Sequence, residues 1–304
     1  MSEINLLPEP KFVPELHPTF RPAVLVNRAF EAAARDTGAA AELGIALEQA
    51  DGSVFHHHTV LFPEGHALVE NNFRHVERLV KFLLWSRGGW RIHLTGSPAL
   101  AEQLQRYYRE TKLGKFDNEV IGFRNFGKSL EVVACGELLA EKVDTKPLGR
   151  HLDGCRIGFD LGGSDRKAAA VIDGEVVFSE EIEWDPYFEP DPNYHYEGVI
   201  DSLKKAAAHL PRVDAIGGSA AGCYSHNRVT WASLFRGVPE EVFDSQVRGM
   251  FLKIQADWGV PLEVINDGEV TALAGSMALG KNGVTSNYRY DLAPYTWELV
   301  RNLK

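Results

Sequence analysis

Residues 156–178 read RIGFDLGGSDRKAAAVIDGEVVF, and the fold is decided by how this stretch is read. Ile157, Phe159 and Leu161 alternate with small or polar residues, the period-2 pattern of a half-buried strand. The run then meets Gly162-Gly163, a pair that permits a tight turn and close approach of a ligand to the backbone. A second apolar run, 168–172, leads to Asp173-Gly174, the dipeptide of a two-residue hairpin turn, and on to 175–178. Asp160 therefore stands where a strand ends, beside a glycine turn that a second strand leaves. Amides at such a turn suit phosphate oxygens, and a carboxylate next to them suits the Mg²⁺ that accompanies ATP. A plain hairpin with a polar turn accounts for the same residues, so a second stretch has to break the tie.

That stretch is 261–279. Residues 261–265 form a short apolar strand, Asn266-Asp267-Gly268 follow, and Val270, Leu273, Ala274 and Met277 then fall at helical spacing. Asp267 lies at a strand-to-helix junction, near the positive end of the helix dipole. A carboxylate there can accept the proton of an attacking hydroxyl, as phosphoryl transfer to an alcohol requires. Capping of the helix by Asn266 or Asp267 is the plainer account. Between the two stretches, the strand 213–216 runs into Gly217-Gly218-Ser219-Ala220-Ala221-Gly222. Small residues there, Gly218, Ser219 and Gly222 among them, admit a ligand to the backbone or let a helix pack closely on the strand.

In order and spacing, DLGGSDRK (160–167), AIGGSAAG (215–222) and VINDGEVTALAG (264–275) resemble the motifs of ROK-type sugar kinases, which belong to the actin/hexokinase-like ATPase superfamily. The resemblance covers roughly residues 154–280. It implies an α/β fold in which an actin-like (RNase H-like) domain, 154–282, is preceded by a separate smaller α/β domain. It implies ATP and Mg²⁺ as cofactors and a small-molecule sugar as substrate. Residue by residue, it implies Asp160 for Mg²⁺, held through water, and Gly162, Gly163 and Ser164 for phosphate, with Lys167 adding charge. Asp267 would be the general base, and Asn266 would contact a sugar hydroxyl beside Gly218, Ser219 and Gly222. A ROK kinase continues into a second lobe with a glycine-rich hairpin for the β/γ-phosphates, a zinc-binding His/Cys set and a glycine turn around the adenosine. Residues 285–304 contain no glycine, cysteine or histidine, so only the first lobe has its counterpart here.

The bulk properties agree with a soluble, cytoplasmic protein. A chain of 304 residues, 44% hydrophobic, can bury a sizeable core and is expected to make two domains. A net charge of −10 argues against nucleic acid or an anionic membrane as the main partner. No apolar run approaches a membrane span. Cys135, Cys155 and Cys223 are too few and too scattered for a disulfide framework or a cysteine zinc site. The family resemblance leaves room for a homodimer.

Upstream, residues 1–19 read as an extended, proline-bearing arm and 20–150 as an α/β unit of unassigned role. Residues 42–47 and 54–61 read as a hairpin around Asp51-Gly52, 71–86 as a helix, 91–95 as a strand and 99–111 as a second helix. His56 and His58 share a strand face without a third ligand, which reads as a solvated surface rather than a metal site. Residues 122–129, GFRNFGKS, formally match the P-loop pattern, giving a P-loop NTPase as the lesser alternative. The segment before them is polar, however, and the one after them reads as a strand rather than a helix. Residues 144–153 are the expected linker, 196–210 and 240–258 are expected helices, and 283–304 form a tail. His226, Asn227 and Arg228 are polar candidates for a sugar. Beside the kinase stands a second hypothesis, a ROK-like sugar- or nucleotide-binding protein without turnover.

Overall fold

The computed structural model describes residues 6–142 and 152–279, which fall into two compact units, Met1–Asp144 and Thr145–Lys304. The expected linker lies almost wholly outside the described residues, and the tail wholly so. Among the described residues, no helix is long and apolar enough to cross a membrane.

The first unit holds helix α1 (Ala23–Asp36), strands β1 (Ala41–Glu48) and β2 (Val54–Leu61), helix α2 (Asn71–Arg87), strand β3 (Arg91–Thr95), helices α3 (Pro98–Glu110) and α4 (Lys112–Asp117) and strand β4 (Glu131–Ala134). The strands form a sheet in the order β2-β1-β3-β4, with only the β3–β4 pair parallel. The β1–β2 hairpin lies where the alternation of 42–47 and 54–61 puts it. Ser97 caps α3 by accepting a hydrogen bond from the Leu100 amide, and Pro98 fills the first helical position, where its missing N–H costs nothing. The core is built from Leu43, Ile45 and Leu47 of β1 against Val76, Val80, Leu83 and Leu84 of α2 and Leu104 and Tyr108 of α3. Helix α1, not anticipated above, adds Phe30 and Ala34 to it.

The P-loop alternative is overturned here. Gly122 lies inside a π-helix, Asn118–Phe126, and Gly127 ends that helix in the left-handed conformation. A P-loop needs a strand, a loop and then a helix, whereas the order here is helix, turn, strand. Lys128 rests on the Trp90 ring, 3.9 Å from its centroid, instead of facing a phosphate cradle. His56 is likewise committed, its Nε2 lying 2.5 Å from the Leu139 carbonyl oxygen.

The second unit contains strands β5 (Cys155–Leu161), β6 (Asp165–Ile172) and β7 (Glu175–Glu183), helix α5 (Pro192–Ala207), strands β8 (Ala215–Ala220), β9 (Cys223–Ser225) and β10 (Arg228–Trp231), helices α6 (Glu240–Val242) and α7 (Met250–Trp258), strand β11 (Leu262–Asn266) and helix α8 (Asp267–Leu279). Five strands make one mixed sheet in the order β11-β8-β5-β6-β7. β8 and β11 run parallel to β5, while β5, β6 and β7 form an antiparallel meander. This mixed sheet in an α/β setting is consistent with the actin-like expectation. Asp173 (φ 48°) and Gly174 (φ 87°) both take positive φ, the signature of the type I′ turn that Asp-Gly favours. Ile157, Phe159 and Leu161 point to one face, where Val199, Leu203 and Ala206 of α5 and Phe251 and Ile254 of α7 close the core. Arg166 is buried against α5, donating to Ser202 Oγ and, at 2.7 Å, to Asp201.

Two expected helices differ in extent. Helix α5 starts at Pro192 rather than 196, because the Asp191 side chain caps it by accepting from the Asn193 amide at 2.9 Å. The single helix expected over 240–258 is interrupted. α6 passes into a π-turn, Phe243–Val247, and α7 begins only after Gly249. Glycine is a poor helix former, and the wider turn carries Val247 and Met250 both into the core.

Candidate functional site

The parallel strands β5, β8 and β11 end at the same edge of the sheet, the edge outside which ligands of open α/β sheets bind. Asp160 of β5 stands opposite Ser219 of β8 and Lys167 of β6, and Ser219 in turn opposite Ile265 of β11. Two residues back, the same face carries Glu263, Gly217, Gly158 and Ala169 in one row. A β-carbon added at Gly158 or Gly217 would meet nothing within 4 Å. This face thus holds an open cavity of about 1110 Å³, walled on one side by α8. Asp160, Gly162, Lys167, Gly218, Ser219 and Asp267 line it together. Gly163, Ser164, Gly222 and Asn266 do not line it.

Asp267 opens α8 and is exposed, with the Gly268 amide donating to its Oδ1 at 2.9 Å. Its charge, together with burial, pushes the neighbouring Tyr224 hydroxyl well above the ordinary tyrosine range, burial being the larger cause. Asn266 serves the backbone at both ends: its Oδ1 accepts from the Gly268 amide at 2.9 Å and its Nδ2 donates to the Gly222 carbonyl at 2.8 Å. The capping account of Asn266 therefore describes its contacts here. Gly222 (φ 138°) needs its glycine because a β-carbon would fall 2.6 Å from the Trp231 carbonyl oxygen. Gly218 needs its own because the Phe159 ring fills that space, 2.2 Å from where the β-carbon would stand.

The glycine turn is held from several sides. The Gly162 amide donates to the Asp165 carbonyl at 2.9 Å, and the Gly162 carbonyl accepts from Trp184 Nε1 at 2.8 Å. Gly163 has no room for a side chain, since its β-carbon would lie 2.0 Å from the Tyr187 hydroxyl. Lys167 donates to Asp165 Oδ1 at 2.6 Å, and Ser164 Oγ donates to the other oxygen at 2.8 Å. These bonds hold the Asp165 carboxyl below its usual range and the Lys167 ammonium above its own. The lysine's charge is largely spent on that partner.

Among the described residues, no three His, Cys, Asp or Glu side chains come together as a metal cluster. A lone carboxylate such as Asp160 still fits Mg²⁺, which keeps several waters and shares its ligands with substrate phosphates. Asn227, a sugar candidate above, is buried. Its amide donates to the Leu262 carbonyl at 2.7 Å and accepts from the Val264 amide at 2.8 Å, so it is bound to β11 rather than open to a ligand. Sequence reasoning overlooked Gly158 and Glu263, and it took Gly217 as the start of a loop, whereas it lies within β8. The signal was present: in β5 and β8 these glycines occupy the alternate positions that point away from Ile157, Phe159 and Ile216.

No family model and no curated protein matches the chain. Solved structures do resemble part of it. A ROK hexokinase from Thermus thermophilus overlaps 40% of this chain and 37% of its own, at 18% identity and a TM-score of 0.31. An inorganic polyphosphate/ATP-glucomannokinase from Arthrobacter sp. strain KM overlaps 41% of this chain and 48% of its own, at 23% identity and a TM-score of 0.32. A ROK-family transcriptional regulator, a homologue of the E. coli MLC protein, overlaps 41% and 31%, at 20% identity and a TM-score of 0.34. The chain thus spans less than half the length of each of these structures.

Proposed function

We propose that the second unit is a sugar-kinase lobe whose cavity brings a sugar hydroxyl and the phosphates of ATP together. The observation that carries this reading is the placement of Asp160 and Asp267 around one cavity at the carboxyl ends of parallel strands. Asp267, exposed at the start of α8, takes the proton from the sugar hydroxyl as it attacks. Asp160, half-buried on the sheet, offers carboxylate oxygen to Mg²⁺ or its waters. Gly162 on the cavity wall, with Gly163 and Ser164 continuing the turn just outside it, orients the phosphate, Gly218 and Ser219 receive the sugar, and Asn266 fixes the strand-to-helix corner on which Asp267 is mounted. ATP with Mg²⁺ supplies the phosphoryl group and offsets its charge. Catalysis of this kind rests on positioning and electrostatics rather than on a covalent protein intermediate.

A second reading, a sugar- or nucleotide-binding protein without turnover, is favoured by specific contacts. Lys167 is paired with Asp165, Tyr187 is seated on Gly163, and both ends of the Asn266 amide are engaged. One experiment separates the two: calorimetric titration with Mg·ATP followed by a phosphotransfer assay over a sugar panel, with Asp267→Asn as control. Turnover lost in Asp267→Asn supports the kinase. Binding without turnover in the parent chain supports the binding protein, and absence of both sinks the proposal.

A further inference from the structure

A phosphate site needs positive charge, and in the glycine turn the nearest lysine is already neutralised by Asp165. The second unit carries another cation close by. Arg236 follows the short turn Ser233–Phe235, and its guanidinium carbon lies 4.1 Å from the Tyr187 ring centroid and 4.5 Å from that of Phe188. Two aromatic faces therefore hold it, and among the described residues no carboxylate pairs with it. Tyr187 itself links this arginine to the turn, with its face under Arg236 and its hydroxyl on Gly163. That hydroxyl has no hydrogen-bond partner among the described residues.

The platform is rigid for visible reasons. His195, fully buried on α5, has its Nε2 3.0 Å from both the Pro186 and the Leu234 carbonyl oxygens, tying the two loops that carry Tyr187 and Arg236 to one anchor. Gly237 packs on the Phe188 backbone so closely that a β-carbon would fall 2.5 Å from its carbonyl carbon. Trp184 donates from its ring nitrogen to Gly162 and from its amide to Ser164, joining the same loop to the turn. An arginine stacked on aromatics keeps its edge donors free and loses little entropy when it binds an oxyanion.

The geometry points to Arg236 and the Tyr187 hydroxyl as a binding site for a phosphoryl group beside the Gly162–Ser164 turn. The inference rests on the reading that this turn takes phosphate. Two sources share that chemistry, the polyphosphate of a nucleotide and a phosphate ester on a sugar.

The test is calorimetric titration of the full chain at fixed ionic strength with sodium pyrophosphate, Mg·ATP and glucose 6-phosphate, using the parent, Arg236→Gln, Arg236→Lys and Tyr187→Phe. Pyrophosphate affinity is expected to fall roughly tenfold or more in Arg236→Gln. It should fall by less in Arg236→Lys and Tyr187→Phe, with thermal midpoints unchanged because Arg236 is exposed. A parallel loss for Mg·ATP alone assigns the nucleotide, and a loss for glucose 6-phosphate alone assigns the ester. Parent-like pyrophosphate binding by Arg236→Gln overturns the site, as does a parent chain that binds none of the three probes. Pyrophosphate binding through Arg236 without any phosphotransfer leaves this site standing and the kinase fallen. Sugar phosphorylation unaffected by Arg236→Gln does the reverse.

Discussion

The two sheets are built from similar strands and meet water differently. In the first unit the central strand β1 is buried over five consecutive residues, 43–47, so side chains on both of its faces are covered. In the second, β5 alternates strictly between buried and partly open positions along its whole length. In β1 the large Leu43, Ile45 and Leu47 fill one face, and the small Gly44 and Ala46 on the other are covered as well. Strand β5 packs Ile157, Phe159 and Leu161 inward and presents Gly158 and Asp160 on its other face. A sheet covered on both faces is a scaffold. One that leaves a face of glycine, serine and carboxylate has given up burial there, and that is where a ligand can be seated.

The sharpest way to break this contrast is through Asp267. Asp267→Asn should lower phosphotransfer by about 10²- to 10⁴-fold and leave the thermal midpoint alone, since the side chain is exposed. An equal fall in stability would mean that the open face is structural after all. On the packed side of the same sheet, Phe251 is fully buried against Phe159. Phe251→Ala should cost about 3–5 kcal/mol in denaturant unfolding.

The closed unit has its own signature in pH. His75 is buried, stacked on Phe30 with ring centroids 3.9 Å apart, and hydrogen-bonded to Thr59. Burial first, and His57 second, hold its pKa down to about 4 from 6.5. The unfolded chain therefore takes up a proton near pH 6.5 that the folded one refuses until about pH 4. Stability contributed by this residue is complete above pH 6.5 and is lost as the pH falls toward 4, by at most about 3 kcal/mol. His75→Gln should flatten that slope in an acid titration of unfolding. The smallest effect is the most diagnostic of the open face. Gly217→Val should change stability by less than about 1 kcal/mol, because a β-branched residue suits a strand and the space above it is empty. Mg·ATP or sugar binding, measured by calorimetry, should nevertheless be lost.

Much of this was legible in the residues. The alternation of 157–161, the Asp-Gly hairpin and the strand-to-helix corner at 266–267 are local patterns, fixed by side-chain period and turn chemistry. Less accessible were features set by packing across the chain. Helix α1 follows Pro22 and begins with AVLVNRAF; only Phe30 and Ala34 of it are buried, too sparse a stripe to stand out. The break in 240–258 depends on where Val247 and Met250 must go. The lysine and glycines of the 122–129 motif look like a phosphate cradle until the preceding helix is known. In the site, Asp160 and Asp267 were found from strand ends, but Tyr187 and Arg236 lie outside both motifs in sequence, and the turn meets Tyr187 at Gly163 and Arg236 only through the Tyr187 ring.

Asn227 bears on how this molecule stays itself. β11 is the outermost strand of its sheet among the described residues, and an outermost strand exposes unpaired amides and carbonyls that can template the addition of a foreign strand. The Asn227 amide occupies one such carbonyl and one such N–H, at Leu262 and Val264, in the manner of a neighbouring strand. The protein thus carries a one-residue plug at that border. Asn227→Ala would leave both groups unpaired, so it should lower the unfolding midpoint and bring on concentration-dependent aggregation.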